Sequence, residues 1–100
     1  MLKIFKYEIA PSYEPIQIKT YAGAHVLSCG LAPDGFPYVW VMVDDSAPEG
    51  TLNVACVGTG WPLEPIFDKY NLRRFIGTIK DDPYMWHVFA LEKITRGRFS

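Results

Sequence analysis

One hundred residues leave room for one small domain with a modest core and not for two. Hydrophobic residues make up 49% and aromatics 15%, which excludes a disordered chain and leaves apolar surface that a homo-oligomer would hide. A formal net charge of -1, with positive charges scattered apart from Arg73-Arg74 and Arg96-Gly97-Arg98, speaks against a nucleic-acid binder that works by counterion release.

From Leu2 to Ile9 the chain alternates, with Lys3, Phe5, Tyr7 and Ile9 on one side, and predicts a strand. Pro11, Ser12 and Pro15 end it in a turn. Ile16, Ile18 and Thr20 alternate with Gln17 and Lys19 as a second, shorter strand, and Tyr21-Ala22-Gly23-Ala24 reads as a corner. The pattern from His25 to Leu31 puts His25, Leu27, Cys29 and Leu31 on one face of a third strand. Ala32-Pro33-Asp34-Gly35 signals a hairpin, because Asp-Gly supplies the positive φ such turns need. The return strand, Phe36 to Asp44, shows Phe36, Tyr38, Trp40 and Met42 on one face and Val39, Val41 and Val43 on the other. A strand apolar on both faces belongs at the centre of a sandwich, in a covered barrel wall or at a subunit interface.

After the polar loop Asp44 to Gly50, a strand runs from Thr51 to Gly58 and breaks at Gly58-Thr59-Gly60. Trp61-Pro62 follows, and Leu63, Ile66, Phe67 and Tyr70 then recur at helical spacing. Pro65 suits a first turn, there is room for about two turns, and Asn71 is placed to cap the end. From Arg73 to Lys80 another strand points Phe75 and Ile79 one way and Ile76 and Thr78 the other. Asp81-Asp82-Pro83 turns the chain into a last strand, Tyr84 to Lys93, again apolar on both faces. About seven short strands with one short helix predict an all-β, mainly antiparallel fold, a small β-sandwich or an open barrel. The whole chain reads as a single domain with a frayed tail at 95–100.

No residue set makes a catalytic site. Gly58-Thr59-Gly60 lacks the third glycine of a dinucleotide fingerprint, since Leu63 stands there, and lacks the Gly-Lys-Ser/Thr of a P-loop. Amides at such a turn still cradle anions, so Gly58, Thr59, Gly60 and Trp61 are the candidate ligand loop beside the plainer reading of a structural turn. His25 and Cys29, with Cys56 and His87, would be needed together for zinc, but no CxxC or HxxxH pair exists. A buried thiol and a hydrogen-bonded histidine fit the apolar strands better, and the same burial discounts a Cys-His nucleophile pair. Asp44-Asp45 and Asp81-Asp82 read as solvated loop acids. Trp40, Trp86 and Phe89 are the candidate interface with an oligomer mate or partner, with core packing as the plainer role. No metal and no cofactor is implied.

Two cysteines are fewer than a small secreted scaffold carries. No leader-like start and no apolar run of membrane-spanning length stands in the chain, so the expected compartment is the cytoplasm, with both thiols reduced. A disulfide between Cys29 and Cys56 stays open.

Several stretches occur in a recognisable order. They are Lys3-Ile4-Phe5-Lys6-Tyr7-Glu8, Ala22-Gly23-Ala24-His25-Val26-Leu27-Ser28, Trp40-Val41-Met42-Val43-Asp44, Val57-Gly58-Thr59-Gly60, Phe75-Ile76-Gly77-Thr78 and Trp86-His87-Val88-Phe89. Together they resemble a family of small uncharacterised proteins encoded by bacteriophages and prophages. Where members of that family often carry Gly-His-Pro, this chain has Gly60-Trp61-Pro62. The resemblance implies a phage-type setting in the host cytoplasm and supplies no activity. The expected function is that of a non-enzymatic accessory binding protein, such as an inhibitor of a host or defence protein. Two alternatives stand beside it: a protein that sequesters a small nucleotide-like ligand at the Gly58–Pro62 loop, and a structural component of a phage particle.

Overall fold

Val39, Val41 and Val43 are fully buried, and Trp40 and Met42 between them are exposed. That is the period of a strand with a single face on a core. The structure, a computed structural model that describes residues 1–94, has strands Leu2–Glu8 (β1), Ile16–Tyr21 (β2), His25–Leu31 (β3), Pro37–Asp44 (β4) and Glu49–Gly58 (β5). The one-turn helix Glu64–Phe67 (α1) follows, then strands Tyr70–Asp81 (β6) and Tyr84–Lys93 (β7). Two antiparallel sheets form, ordered β1-β4-β3 and β2-β5-β7-β6. Among the described residues they face each other as a sandwich and close no barrel, so the all-β expectation is met in its sandwich form. The tail expected to fray at 95–100 lies outside the described residues.

The main core lies between the sheets. The three valines of β4 meet Ile9, Ile18, Val26, Val54, Cys56, Ile79 and Val88 there. A second, smaller core lies on the outer face of the four-stranded sheet, where Ile66 of α1 covers Ala55, Val57, Tyr70 and Leu91. Enclosing an isoleucine side chain contributes about 1.5–3 kcal/mol, which is why so short a helix holds its place. Its C-cap is Asp68, whose N–H reaches the Glu64 carbonyl at 2.9 Å. Asn71, expected to cap, instead sits in β6 opposite Glu92.

The flanking sheet edges are tied by specific contacts. On one side the Tyr7 hydroxyl meets Thr20 Oγ1 at 2.8 Å. On the other, β3 and β6 approach without pairing: Arg74 Nη2 donates to the Val26 carbonyl, and a Cβ on Gly77 would come within 3.0 Å of Cys29 Sγ.

Bulges overturn two facing assignments. The β3–β4 register shifts between Val26 and Ser28, so His25 lies opposite Met42 on the solvent face and Cys29 opposite Val39 on the core face. The shared face expected for His25 and Cys29 is therefore absent, because one extra residue resets a period of two. β6 shifts between Leu72 and Arg74 and again between Phe75 and Gly77. Phe75 consequently meets Phe89 on the outer face and Ile79 meets Trp86 on the inner, where one common side was expected. The Asp-Gly hairpin behaves as read: Gly35 has φ +87, and Asp34 Oδ1 accepts from the Phe36 N–H at 3.2 Å.

Asp44 and Asp45 do more than solvate a loop. Ser46 donates to Asp44 Oδ1 from its hydroxyl at 2.6 Å and from its backbone at 3.0 Å, and the Met1 ammonium lies 2.9 Å away. Lys3 Nζ stands 2.7 Å from Asp45 Oδ2. The Ser46 bonds hold the Asp44 carboxyl, and Lys3 holds that of Asp45, below the ordinary carboxylate range. A folded pKa below the unfolded one means a contribution present above pH ~4 and lost as pH falls through the folded values. Thermal unfolding between pH 6 and pH 2 is expected to show a shallower acid decline for Asp45→Asn than for wild type. Because the pair is exposed the difference is small, and parallel declines would show that the pair contributes nothing.

Candidate functional site

At Gly58, the last residue of β5, there is no room for a side chain. A Cβ would lie 2.9 Å from the Trp61 indole and 3.2 Å from that of Trp86. Gly60 takes φ +86, a conformation that glycine adopts freely, and the Trp61 N–H donates to the Gly58 carbonyl at 3.2 Å. The turn thus folds Trp61 back over the strand it has just left. Trp61 stacks on Tyr13 with centroids 4.4 Å apart and meets Trp86 edge-on at 5.6 Å. Trp86 stacks in turn on Tyr84 at 5.3 Å and donates its Nε1–H to Asp81 Oδ2 at 3.1 Å. Four aromatic rings from three parts of the chain make one row, each contact adding about 0.5–1.5 kcal/mol beyond its buried area.

Thr59, at the tip of the turn, points to a second group. Its Oγ1 lies 2.7 Å from His87 Nε2, and Thr78 Oγ1 lies 3.1 Å from His87 Nδ1. Thr78 and His87 are direct cross-strand partners in the β6–β7 ladder, which places the hydroxyl beside the ring. A neutral imidazole has one donor and one acceptor nitrogen, so the chain runs through the ring in one direction or the other. Such a chain can hold or pass a proton. Its outer member is a hydroxyl and not a carboxylate, so the ring lacks the charge that a triad uses to stabilise an imidazolium. Thr59, Gly60, Trp61, Leu63, His87 and Phe89 line an open depression of about 230 Å³ beside it.

The four predicted loop residues, Gly58, Thr59, Gly60 and Trp61, are therefore together, and the structure adds His87, Thr78 and Phe89 to them. The Thr78–His87 pair was not legible in the sequence, because the last strand reads as apolar on both faces and the β6 register shifts hide which residue faces His87. The residues considered for zinc are dispersed instead. His87 is on the outer face of the four-stranded sheet, His25 on that of the three-stranded sheet, and Cys56 is in the core. Among the described residues no group of three or more His, Cys, Asp and Glu could hold a metal ion. Both cysteines are free. Burial pushes the Cys56 thiol up to about 12 and also raises that of Cys29, which disfavours the reactive thiolate at both.

The three residues expected at an interface occupy three different surfaces. Trp86 is half-buried in the aromatic row, and Phe89 packs between Phe67 and Phe75 on the outer face of the four-stranded sheet. Trp40 stands on the open face of the three-stranded sheet. There Ile4 pairs with Met42 and Lys6 with Trp40, and Lys6 Nζ lies 4.5 Å from the Tyr38 ring centroid. On this face Leu2 is 68% exposed, Ile4 63%, Trp40 40% and Met42 37%. No described element covers it.

No helix among the described residues is long and apolar enough to cross a membrane. Residues 1–97 match a family described as a domain of unknown function, DUF7352, and the chain belongs to that family. No curated protein and no solved structure matches it.

Proposed function

We propose that this domain is a non-enzymatic binding module that works, in the phage or prophage setting its sequence resembles, by occupying a host protein such as a defence factor. The observation that carries the reading is the apolar strip Leu2, Ile4, Met42 and Trp40, which adjacent strands present side by side on an uncovered sheet face. Contiguous exposed apolar surface on a small domain marks a contact with another protein. Lys6 over the Tyr38 and Trp40 rings adds a polar rim, the usual border of such a patch. The doubly apolar pattern of β4 further supports burial of this face in the working assembly.

The tagged protein, incubated with bacterial lysate at physiological salt, is expected to retain a specific protein partner. Trp40→Glu, which adds a charge at an already exposed position, should lose it while unfolding at the wild-type temperature. Sedimentation of both proteins decides whether a sister copy takes the face instead: a wild-type dimer that Trp40→Glu splits assigns it to self-association. An empty pull-down together with a monomeric wild type overturns the proposal.

A second reading, capture of a small nucleotide-like ligand at Gly58–Trp61, is favoured by the Thr59–His87–Thr78 chain, which puts hydrogen-bonding groups beside an aromatic-edged depression. Native mass spectrometry of the purified protein would show the retained ligand.

A further inference from the structure

The seam where β3 meets β6 holds a group of cations that the aromatic loop does not touch. Arg73 is the residue that the β6 register leaves over between Leu72, opposite Leu91, and Arg74, opposite Ala90. A bulge of this kind places two successive side chains where a regular strand would send them to opposite faces. Arg73 and Arg74 both line a cavity of about 140 Å³, along with His25, Asn53, Val26 and Ala90. That is far more than the ~10–15 Å³ that one water requires.

No acidic residue lines this cavity, and among the described residues neither arginine forms an ion pair with a carboxylate. In a chain with 11 acidic residues and a net charge of -1, neighbouring guanidiniums without a carboxylate are a local excess. Both side chains are solvent-exposed, so this excess charge is open to an incoming anion. One guanidinium is fixed in place, since Arg74 Nη2 donates to the Val26 carbonyl across the seam. Asn53 also lines the cavity, and its side-chain Oδ1 is buried without a hydrogen-bond partner. The lining thus sets two guanidiniums and no carboxylate against apolar Val26, Leu52, Ala90 and Leu91.

We propose that this seam cavity is an oxyanion site that takes a phosphoryl group, with Arg73 as its principal ligand and Arg74 as an anchored second one. Guanidiniums present paired N–H donors that match the oxygens of phosphate, and their charge cannot be titrated away at physiological pH. The small volume suits one phosphoryl group, free or at the end of a small phosphorylated molecule. The site is independent of the apolar face around Trp40, so either proposal can fail without the other.

Inorganic phosphate and adenosine monophosphate are the two probes, titrated into ¹⁵N-labelled protein with sodium chloride adjusted to keep ionic strength constant. Saturable amide shifts are expected at His25, Asn53 and Arg74. Arg73→Gln should weaken phosphate binding at least tenfold, and Arg73→Lys should restore only part of it. Arg73→Gln is expected to unfold at the wild-type temperature, since the exposed Arg73 side chain makes no hydrogen bond or ion pair with a described residue. Arg74→Gln should weaken binding too, but with some loss of stability from the broken contact to Val26. Tighter binding of the monophosphate than of phosphate would point to a ligand that continues beyond the cavity, and equal binding to the bare anion. Shifts that grow linearly without saturation, or an Arg73→Gln variant that binds as wild type does, would overturn the proposal.

Discussion

Gly50→Ala is expected to destabilise the domain by about 2–3 kcal/mol, the upper part of the range for forcing an extra group into a packed site. Gly50 faces Thr20 in the β2–β5 ladder, where the chain leaves β2 for the corner at Ala22. A Cβ at residue 50 would lie 2.7 Å from both the Cα and the N of Ala22 and 3.0 Å from the carbonyl carbon of Tyr21. These are backbone atoms, so no rotamer change relieves the clash. The Ala22 N–H is also committed to the Pro48 carbonyl at 2.7 Å, which ties the corner to the start of β5. Relief requires β2 to lift from the sheet. Urea unfolding should show a lower midpoint with an unchanged slope, and amides of Ile18 and Thr20 should exchange faster. Gly30→Ala is the control, since nothing lies within 4 Å of a Cβ there. Equal midpoints for the two variants would mean that the corner adapts at no cost.

Trp61→Ala is expected to remove about 2–3 kcal/mol, below the usual range for a fully buried large aromatic because the ring is only half-buried. The loss comes from three contacts at once: stacking on Tyr13, the edge contact with Trp86, and the cover over Gly58. In a domain of this size the unfolding midpoint should fall by about 10–20 °C. The consequence reaches Thr59, whose bond to His87 depends on the turn that Trp61 closes. The imidazole resonances of His87 should therefore shift in the folded variant, and any small molecule retained by the wild type should be lost. A change below 0.5 kcal/mol with an unmoved His87 would mean that the aromatic row is ornamental to both stability and loop geometry.

Much of the sandwich is legible in the residues, because alternation carries the burial of β4 and Asp34-Gly35 carries its hairpin. The loop at Gly58 to Trp61 is legible as well, from two glycines beside a large ring. What the chain conceals is register. Nothing in His25 to Leu31 announces that Leu27 is the extra residue, and with that one residue the expected partnership of His25 with Cys29 disappears. The doubled shift in β6 conceals Arg73 and Arg74 in the same way. Read as a regular strand they point apart and look like a solvated basic pair, and only the bulge gathers them at one cavity. Backbone proximity is equally silent: Gly50 looks like part of a polar loop until Ala22 is seen against it. The exposed face around Trp40 was foreshadowed by apolar residues on both sides of one strand, but its isolation from Trp86 and Phe89 depends on the sheet to which each strand belongs.

The order in which the strands join the two sheets has a bearing on how the protein is made. β1, β3 and β4 assemble from the first part of the chain, whereas β2 belongs with β5, β6 and β7. During translation β2 leaves the ribosome well before β5, the strand it pairs with among the described residues, and until then its amides and carbonyls are open to any neighbouring nascent chain. Slowed elongation just ahead of Glu49 would prolong that interval and raise the risk of aggregation without altering a single contact of the finished molecule.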